Sequence, residues 1–223
     1  MSPRVALPGW GLRAQIYEPL QAALAGDWQA WDWSQTTPSQ QLSTWAERLP
    51  PGAWLYAWSL SGLLALELAC QRPLAGVVLL ASSPCWGQQE DWPGMPAQHR
   101  LDFTAQLRHS PEAAARAFLA LQTQGDAEPG RLRQRLRPLQ WPAMQAVGLL
   151  DLLGWDLRSR IARIRAPVLV VLAENDALLP VAQAPALRRL GVEVRLLPGS
   201  HVLPWAKALP ALLRDWEAQH GSS

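Results

Sequence analysis

Two short, wholly apolar runs constrain this chain most: Gly76-Val-Val-Leu-Leu-Ala81 and Pro167-Val-Leu-Val-Val-Leu172. A strand with no polar face has to be buried on both sides, as happens in a parallel sheet covered by helices. Val5-Ala-Leu7, Trp28–Trp33, Trp54–Trp58 and Val192–Leu197 read as further strands. Between them lie helical spacings. Leu12–Leu24 keeps Ile16, Leu20 and Leu24 in phase, and Thr37-Pro38-Ser39 opens a helix carrying Leu42, Trp45 and Leu49. Leu60–Ala69, Val181–Leu190 and a last stretch from Pro204 to about Ala218 complete the set. Such alternation predicts an α/β fold, a parallel sheet wrapped on both faces. The rhythm stops after Ser83: residues 86–160 contain no strand-like run and read as helices divided by Pro93, Pro111, Pro129, Pro138 and Pro142. The expected organisation is a core of residues 1–85 and 161–223, with residues 86–160 inserted as a helical cap.

Composition narrows the class. With 223 residues, 49% of them apolar, the chain can bury a real core. Twenty basic against eighteen acidic side chains leave a net charge of +2, which argues against nucleic acid as a partner and leaves any charge-based docking to a local patch. No run reaches the roughly 18 uncharged apolar residues of a membrane span, and the first residues lack the layout of a secretory signal. Cys70 and Cys85 cannot build a disulfide framework, so a reducing cytoplasm is the expected compartment. Four scattered histidines offer no paired ligand spacing, so neither a metal nor a cofactor is expected. Thirteen tryptophans are an excess, assigned mainly to packing.

The strongest chemical signal is Ala57-Trp58-Ser59-Leu60-Ser61-Gly62, at a predicted strand-to-helix turn. A serine there points its hydroxyl out of the sheet, and the helix behind it offers backbone N–H groups to a developing oxyanion. The usual pattern is G-x-S-x-G; here Ala57 and Ser61 stand at the glycine positions, and taken alone the turn reads equally well as a helix cap. A nucleophilic serine needs a base and the base an orienting carboxylate, in the chain order Ser, Asp, His on sheets of this kind. Asp176 follows the strand ending at Leu172, with Glu174 a weaker competitor, and His201 follows the strand ending at Leu197. His99, His109 and His220 fall in cap helices or the C-terminal tail, where a solvated histidine is the plain reading. Pro8-Gly9-Trp10-Gly11 turns after the first strand; Trp10 and Leu60 would supply the two oxyanion N–H groups, with Pro8 where a histidine is usual.

Taken together, these residues resemble the α/β-hydrolases of the pimeloyl-[acyl-carrier protein] methyl ester esterase (BioH) type, which act in biotin synthesis. The resemblance rests on Trp58-Ser-Leu-Ser-Gly62, Ala81-Ser-Ser-Pro-Cys-Trp86, Asp91-Trp-Pro-Gly94, Phe118-Leu-Ala-Leu-Gln-Thr123, Asp176-Ala-Leu-Leu-Pro180 and His201, and covers nearly the whole chain. The family usually carries a β-hairpin before the oxyanion loop, and here only a few residues precede it. What the resemblance implies is a serine carboxylesterase with Ser59 as nucleophile, His201 as base and Asp176 as its orienter, cleaving a methyl ester from a pimeloyl chain on its carrier protein. It also implies that Phe118, Leu119, Ala120, Leu121 and Gln122 line the acyl channel, and that the protein is a monomer.

Arg131-Leu-Arg-Gln-Arg-Leu-Arg137 independently offers a docking face. At helical spacing Leu132 and Leu136 turn inward, while Arg131 and Arg135 form a stripe suited to an acidic carrier protein or its phosphate. A solvated arginine face is the plainer alternative. Two other functions stay open: a broad short-chain carboxylesterase, and a binding protein that has lost its elbow glycines.

Overall fold

The computed structural model describes residues 2–221, and only the backbone of residues 143–146. Six strands form one sheet: β1 (Arg4–Leu7), β2 (Trp28–Ala30), β3 (Trp54–Trp58), β4 (Gly76–Leu80), β5 (Val168–Ala173) and β6 (Glu193–Leu197). Their order is β2-β1-β3-β4-β5-β6 and every pairing is parallel. Alternate residues of each strand face opposite sides, and both sides are covered. Leu55, Ala57, Val77, Leu79, Val170 and Leu172 pack with Trp45 and Leu49 at helix α2 (Pro38–Arg48) and with Leu63 and Leu66 of α3 (Ser61–Gln71). Tyr56, Trp58, Val78, Leu80 and Val171 pack on the other side with Leu20 of α1 (Glu18–Ala23). The apolar runs that carried the strand predictions are thus buried on both faces.

Local boundaries depart from expectation where proline or the sheet edge intervenes. The stretch predicted as one helix over Leu12–Leu24 opens with a 3-10 turn at Ala14–Tyr17 and becomes α-helical only at Glu18, with Pro19 in its first turn, where the missing N–H costs nothing. The second strand ends at Ala30 and not at Trp33, because Trp31 and Trp33 turn in to the core.

Between β4 and β5 the described residues form α4 (Ala97–His109), α5 (Pro111–Thr123), α6 (Pro129–Leu136) and a series of 3-10 turns. Pro111 and Pro129 begin helices rather than break them. The two ends of this helical stretch are tied by a bridge between Cys85 and Asp156 and by Leu157 N–H donating to the Pro84 carbonyl at 2.8 Å. After β5 come α7 (Ala184–Arg189) and α8 (Leu209–His220); α8 buries Leu209, Leu213 and Trp216 against the sheet. Each such side chain contributes roughly 1.5–3 kcal/mol. No helix among the described residues is long and apolar enough to cross a membrane.

Candidate active site

Parallel strands deliver their C-terminal ends to one edge of the sheet, and four loops meet there. β3 ends at Trp58 and α3 starts at Ser61, so the turn between them is two residues long. Ser59 takes φ 60°, the left-handed region that non-glycine residues rarely adopt. Close approach of α3 to the strand behind it explains Gly62: a Cβ there would lie 2.0 Å from Ser82 Oγ. Ser61, at the position where glycine is usual, is tolerated because its hydroxyl reaches the Leu7 and Trp58 carbonyls, both at 3.0 Å.

Asp176 and His201 come from β5 and β6, which are neighbours. Asp176 Oδ1 accepts from the backbone N–H groups of Leu178 (2.8 Å) and Leu179 (3.0 Å), which fixes the carboxylate. Its Oδ2 lies 2.7 Å from His201 Nδ1, and His201 Nε2 lies 2.7 Å from Ser59 Oγ. A carboxylate facing Nδ1 holds the ring proton there, so Nε2 is left to accept the serine hydroxyl. The His201 and Asp176 side chains are 0% and 1% exposed, so water does not compete for these bonds. Glu174 is exposed, His99 and His109 are exposed on α4, and His220 bonds the Trp216 carbonyl on α8.

The loop after β1 lies beside the elbow, since Leu7 pairs with Ala57. Tyr17 donates to the Leu7 carbonyl at 2.9 Å and the Trp33 indole to the Gly9 carbonyl at 3.1 Å, which fixes the loop that carries Trp10. The Trp10 ring meets Phe103 and Phe118 edge-on, with centroids 5.5 and 5.1 Å apart. Leu60 is buried, immediately ahead of α3.

The five residues Phe118–Gln122 do not share one side of α5, because a helix turns 100° per residue. Phe118, Leu119 and Gln122 line a narrow pocket with Trp10. Leu119 and Ala120 line an outer groove of about 670 Å³, which shares Ala115, Leu119, Gln140 and Trp141 with that pocket. Leu121, expected in the channel, is 40% exposed and points away. Gln122 Nε2 and Trp86 Nε1 are buried donors with no acceptor among the described residues. The arginines divide as well. Leu132 and Leu136 are buried as expected, but Arg133 and Arg137, with Arg116, line the groove. Arg131 is exposed and pairs with Glu128 at 3.1 Å, while the Arg135 guanidinium stacks 4.3 Å over Trp205. Sequence reasoning missed Phe103, Trp141 and Arg116; Phe103 is singled out by its ring contact with Trp10, and Trp141 and Arg116 by lining the groove.

A serine elbow, a buried histidine and a carboxylate on the C-terminal edge of a parallel sheet define a serine hydrolase architecture, and sequence comparison agrees. The chain belongs to the alpha/beta hydrolase family, whose sequence model matches residues 4–213. Among curated proteins it is similar to the pimeloyl-[acyl-carrier protein] methyl ester esterase of Klebsiella pneumoniae, 33% identical over 208 residues that cover 85% of this chain and 81% of that one. The protein of the same name from Aromatoleum aromaticum is 34% identical over 204 residues, covering 81% and 82%. Among solved structures, a hydrolase from Oleispira antarctica superposes with a TM-score of 0.78 at 14% identity, over 97% of this chain and 90% of that one. The enol-lactonase from Burkholderia xenovorans does so with 0.77 at 19% identity, over 98% and 92%. At such identities these two speak for the fold alone.

Proposed function

We propose that this chain is a serine carboxylesterase that removes the methyl ester from pimeloyl-[acyl-carrier protein], the activity named for the relatives above, and so serves biotin synthesis. The observation that carries the chemistry is the continuous chain from Asp176 Oδ2 to His201 Nδ1 and from His201 Nε2 to Ser59 Oγ, each step 2.7 Å. Ser59 Oγ attacks the ester carbonyl carbon as its proton passes to His201 Nε2. Asp176 holds the resulting imidazolium. The backbone N–H groups of Trp10 and Leu60 receive the oxyanion, a contribution of about 3 kcal/mol per donor. Collapse expels methanol with the proton from Nε2. Water, deprotonated by the same nitrogen, then releases the pimeloyl carboxylate and restores Ser59. No metal or cofactor takes part in these steps.

Residues 86–160 act as a lid over the acyl chain, with Phe118, Leu119 and Gln122 against it. Gln122 Nε2 is positioned for an acceptor on the substrate. The carrier protein docks on the α6 side, which bears Arg131 and Arg135, while its prosthetic arm follows the groove rimmed by Arg116, Arg133 and Arg137. The arm's phosphate and the acidic surface of a carrier suit such arginines. One copy of the chain supplies every group required, and the two unpaired cysteines, Cys70 and Cys85, suit the cytoplasm.

The test is demethylation of pimeloyl-[acyl-carrier protein] methyl ester, followed by mass, beside hydrolysis of p-nitrophenyl acetate. Both activities are expected in the wild type and neither in Ser59→Ala. Cleavage of the small ester alone would replace the assigned substrate with another ester.

A further inference from the structure

We infer that Trp58 is a positioning residue, its indole holding the carbonyl of His201 at one side and the oxyanion loop at Gly9 on the other. The motif supplies this residue only as the neighbour of the nucleophile, and the chemistry above does not use it. It rests on the roles of Ser59 and His201 proposed above.

Trp58 is fully buried at the last position of β3. Its Nε1–H donates to the His201 backbone carbonyl at 2.7 Å, and the two rings lie 5.6 Å apart. The benzene half of the indole touches the other loop: a Cβ on Gly9 would sit 2.7 Å from Cε3 and 2.9 Å from Cζ3. The same Cβ would be 3.0 Å from Ser59 Cβ. One rigid ring system thus spans the loop carrying the base and the loop carrying Trp10. The backbone beneath it has no slack either, because Ser61 Oγ binds the Trp58 carbonyl and the Leu7 carbonyl together.

A filler side chain would need only volume. Here the polar atom is spent on the backbone of the general base, where the Leu203 N–H already provides one bond at 2.9 Å. The second donor restricts the peptide rather than rescuing an unpaired carbonyl. Catalytic hydrogen bonds are steep in distance, and misplacement of a reacting group by about 1 Å can cost 10²-fold in rate. Fixing the His201 carbonyl therefore fixes Nε2 against Ser59 Oγ, and contact with Gly9 keeps the oxyanion donors in the same frame.

The experiment replaces Trp58 site-specifically with β-(3-benzothienyl)alanine, which keeps the ring outline and lacks the N–H, and compares Trp58→Phe. Three quantities are read: the rate of Ser59 labelling by a fluorophosphonate, kcat and KM for p-nitrophenyl acetate, and the thermal melt. The benzothienyl protein should melt with the wild type and keep its KM, while labelling rate and kcat fall about tenfold, the scale of one buried hydrogen bond. Trp58→Phe, losing ring length as well, should fall further. Labelling and kcat equal to wild type would overturn the inference, as would a loss of activity matched by a loss of folded protein. A wild type that fluorophosphonate does not label at Ser59 would overturn the assigned triad itself, and this inference with it.

Discussion

Asp176 is held by two backbone N–H groups on one oxygen and meets His201 with the other. That division of labour makes a sharp prediction. Asp176→Asn keeps the shape and both turn contacts, but its amide can present an N–H to Nδ1 and favour the wrong tautomer. Turnover of p-nitrophenyl acetate should drop by about 10⁴-fold with the melting curve unchanged; a loss under tenfold would remove Asp176 from the triad. That Ser59, Asp176 and His201 would meet was legible in the sequence, because each follows a strand end and parallel strands bring those ends to one edge. Trp58 and Phe103 were not. The indole of Trp58 bonds a carbonyl 143 residues away, and Phe103 meets Trp10 across the cap, so no local pattern marks either. Leu121 shows the converse: a stretch recognised as a unit was assigned to one channel, although helical geometry sends one of its five residues to solvent.

At the scale of elements, the central strands were legible because a doubly buried sheet leaves no polar residue in its centre, and the helices between β4 and β5 because that stretch has no strand-like run, although Pro111 and Pro129, read as dividers, stand at helix starts. Contacts between elements were hidden. Arg4 on β1 makes two bonds to Glu217 on α8, at 2.8 and 2.5 Å, and Tyr56 of β3 donates to the same carboxylate. Burial pushes the Tyr56 hydroxyl well above its usual range, and the Glu217 charge adds to that, so it remains a donor at any working pH. Glu217→Ala would leave the Arg4 guanidinium buried and unpaired. A loss of about 3 kcal/mol in urea unfolding is expected, with kcat of the remaining folded enzyme unchanged because Arg4 opens β1, at the end of the sheet opposite the elbow. The loop between α5 and α6 predicts the opposite pattern. Gly125 has φ 90°, and a Cβ there would lie 2.1 Å from the Asn175 carbonyl, beside Asp176. Gly125→Ala should cost roughly 1–3 kcal/mol of stability and also lower kcat for the small ester, since the cap is lifted where it rests on the acid loop. Unchanged kcat in that variant would separate cap seating from the triad.

On the scale of the whole molecule, a net charge of +2 conceals an uneven distribution. Arg116, Arg131, Arg133, Arg135 and Arg137 cluster on α5, α6 and the turn after it, against Glu112, Asp126 and Glu128, although residues 86–160 as a whole nearly balance nine arginines with eight acids. Three of these arginines line the groove, which shares Ala115, Leu119, Gln140 and Trp141 with the pocket at Trp10, so charge and aromatic surface stand side by side. An ester borne on an acidic carrier would therefore be attracted by this local arginine patch, while an uncharged small ester would not. Raising salt from low to physiological strength shortens the screening length to about 8 Å and weakens attraction between exposed charges. The kcat/KM for the carrier-borne ester should fall several-fold over that range, through KM and on-rate, with p-nitrophenyl acetate unaffected. Arg131→Glu with Arg135→Glu should reproduce the fall at low salt and flatten the salt dependence. Were Arg133→Glu with Arg137→Glu to do so instead, the groove and not the outer stripe would hold the carrier. A carrier-borne ester insensitive to salt in every variant would mean that recognition begins at the acyl chain, inside the pocket that Trp10, Phe118 and Gln122 enclose.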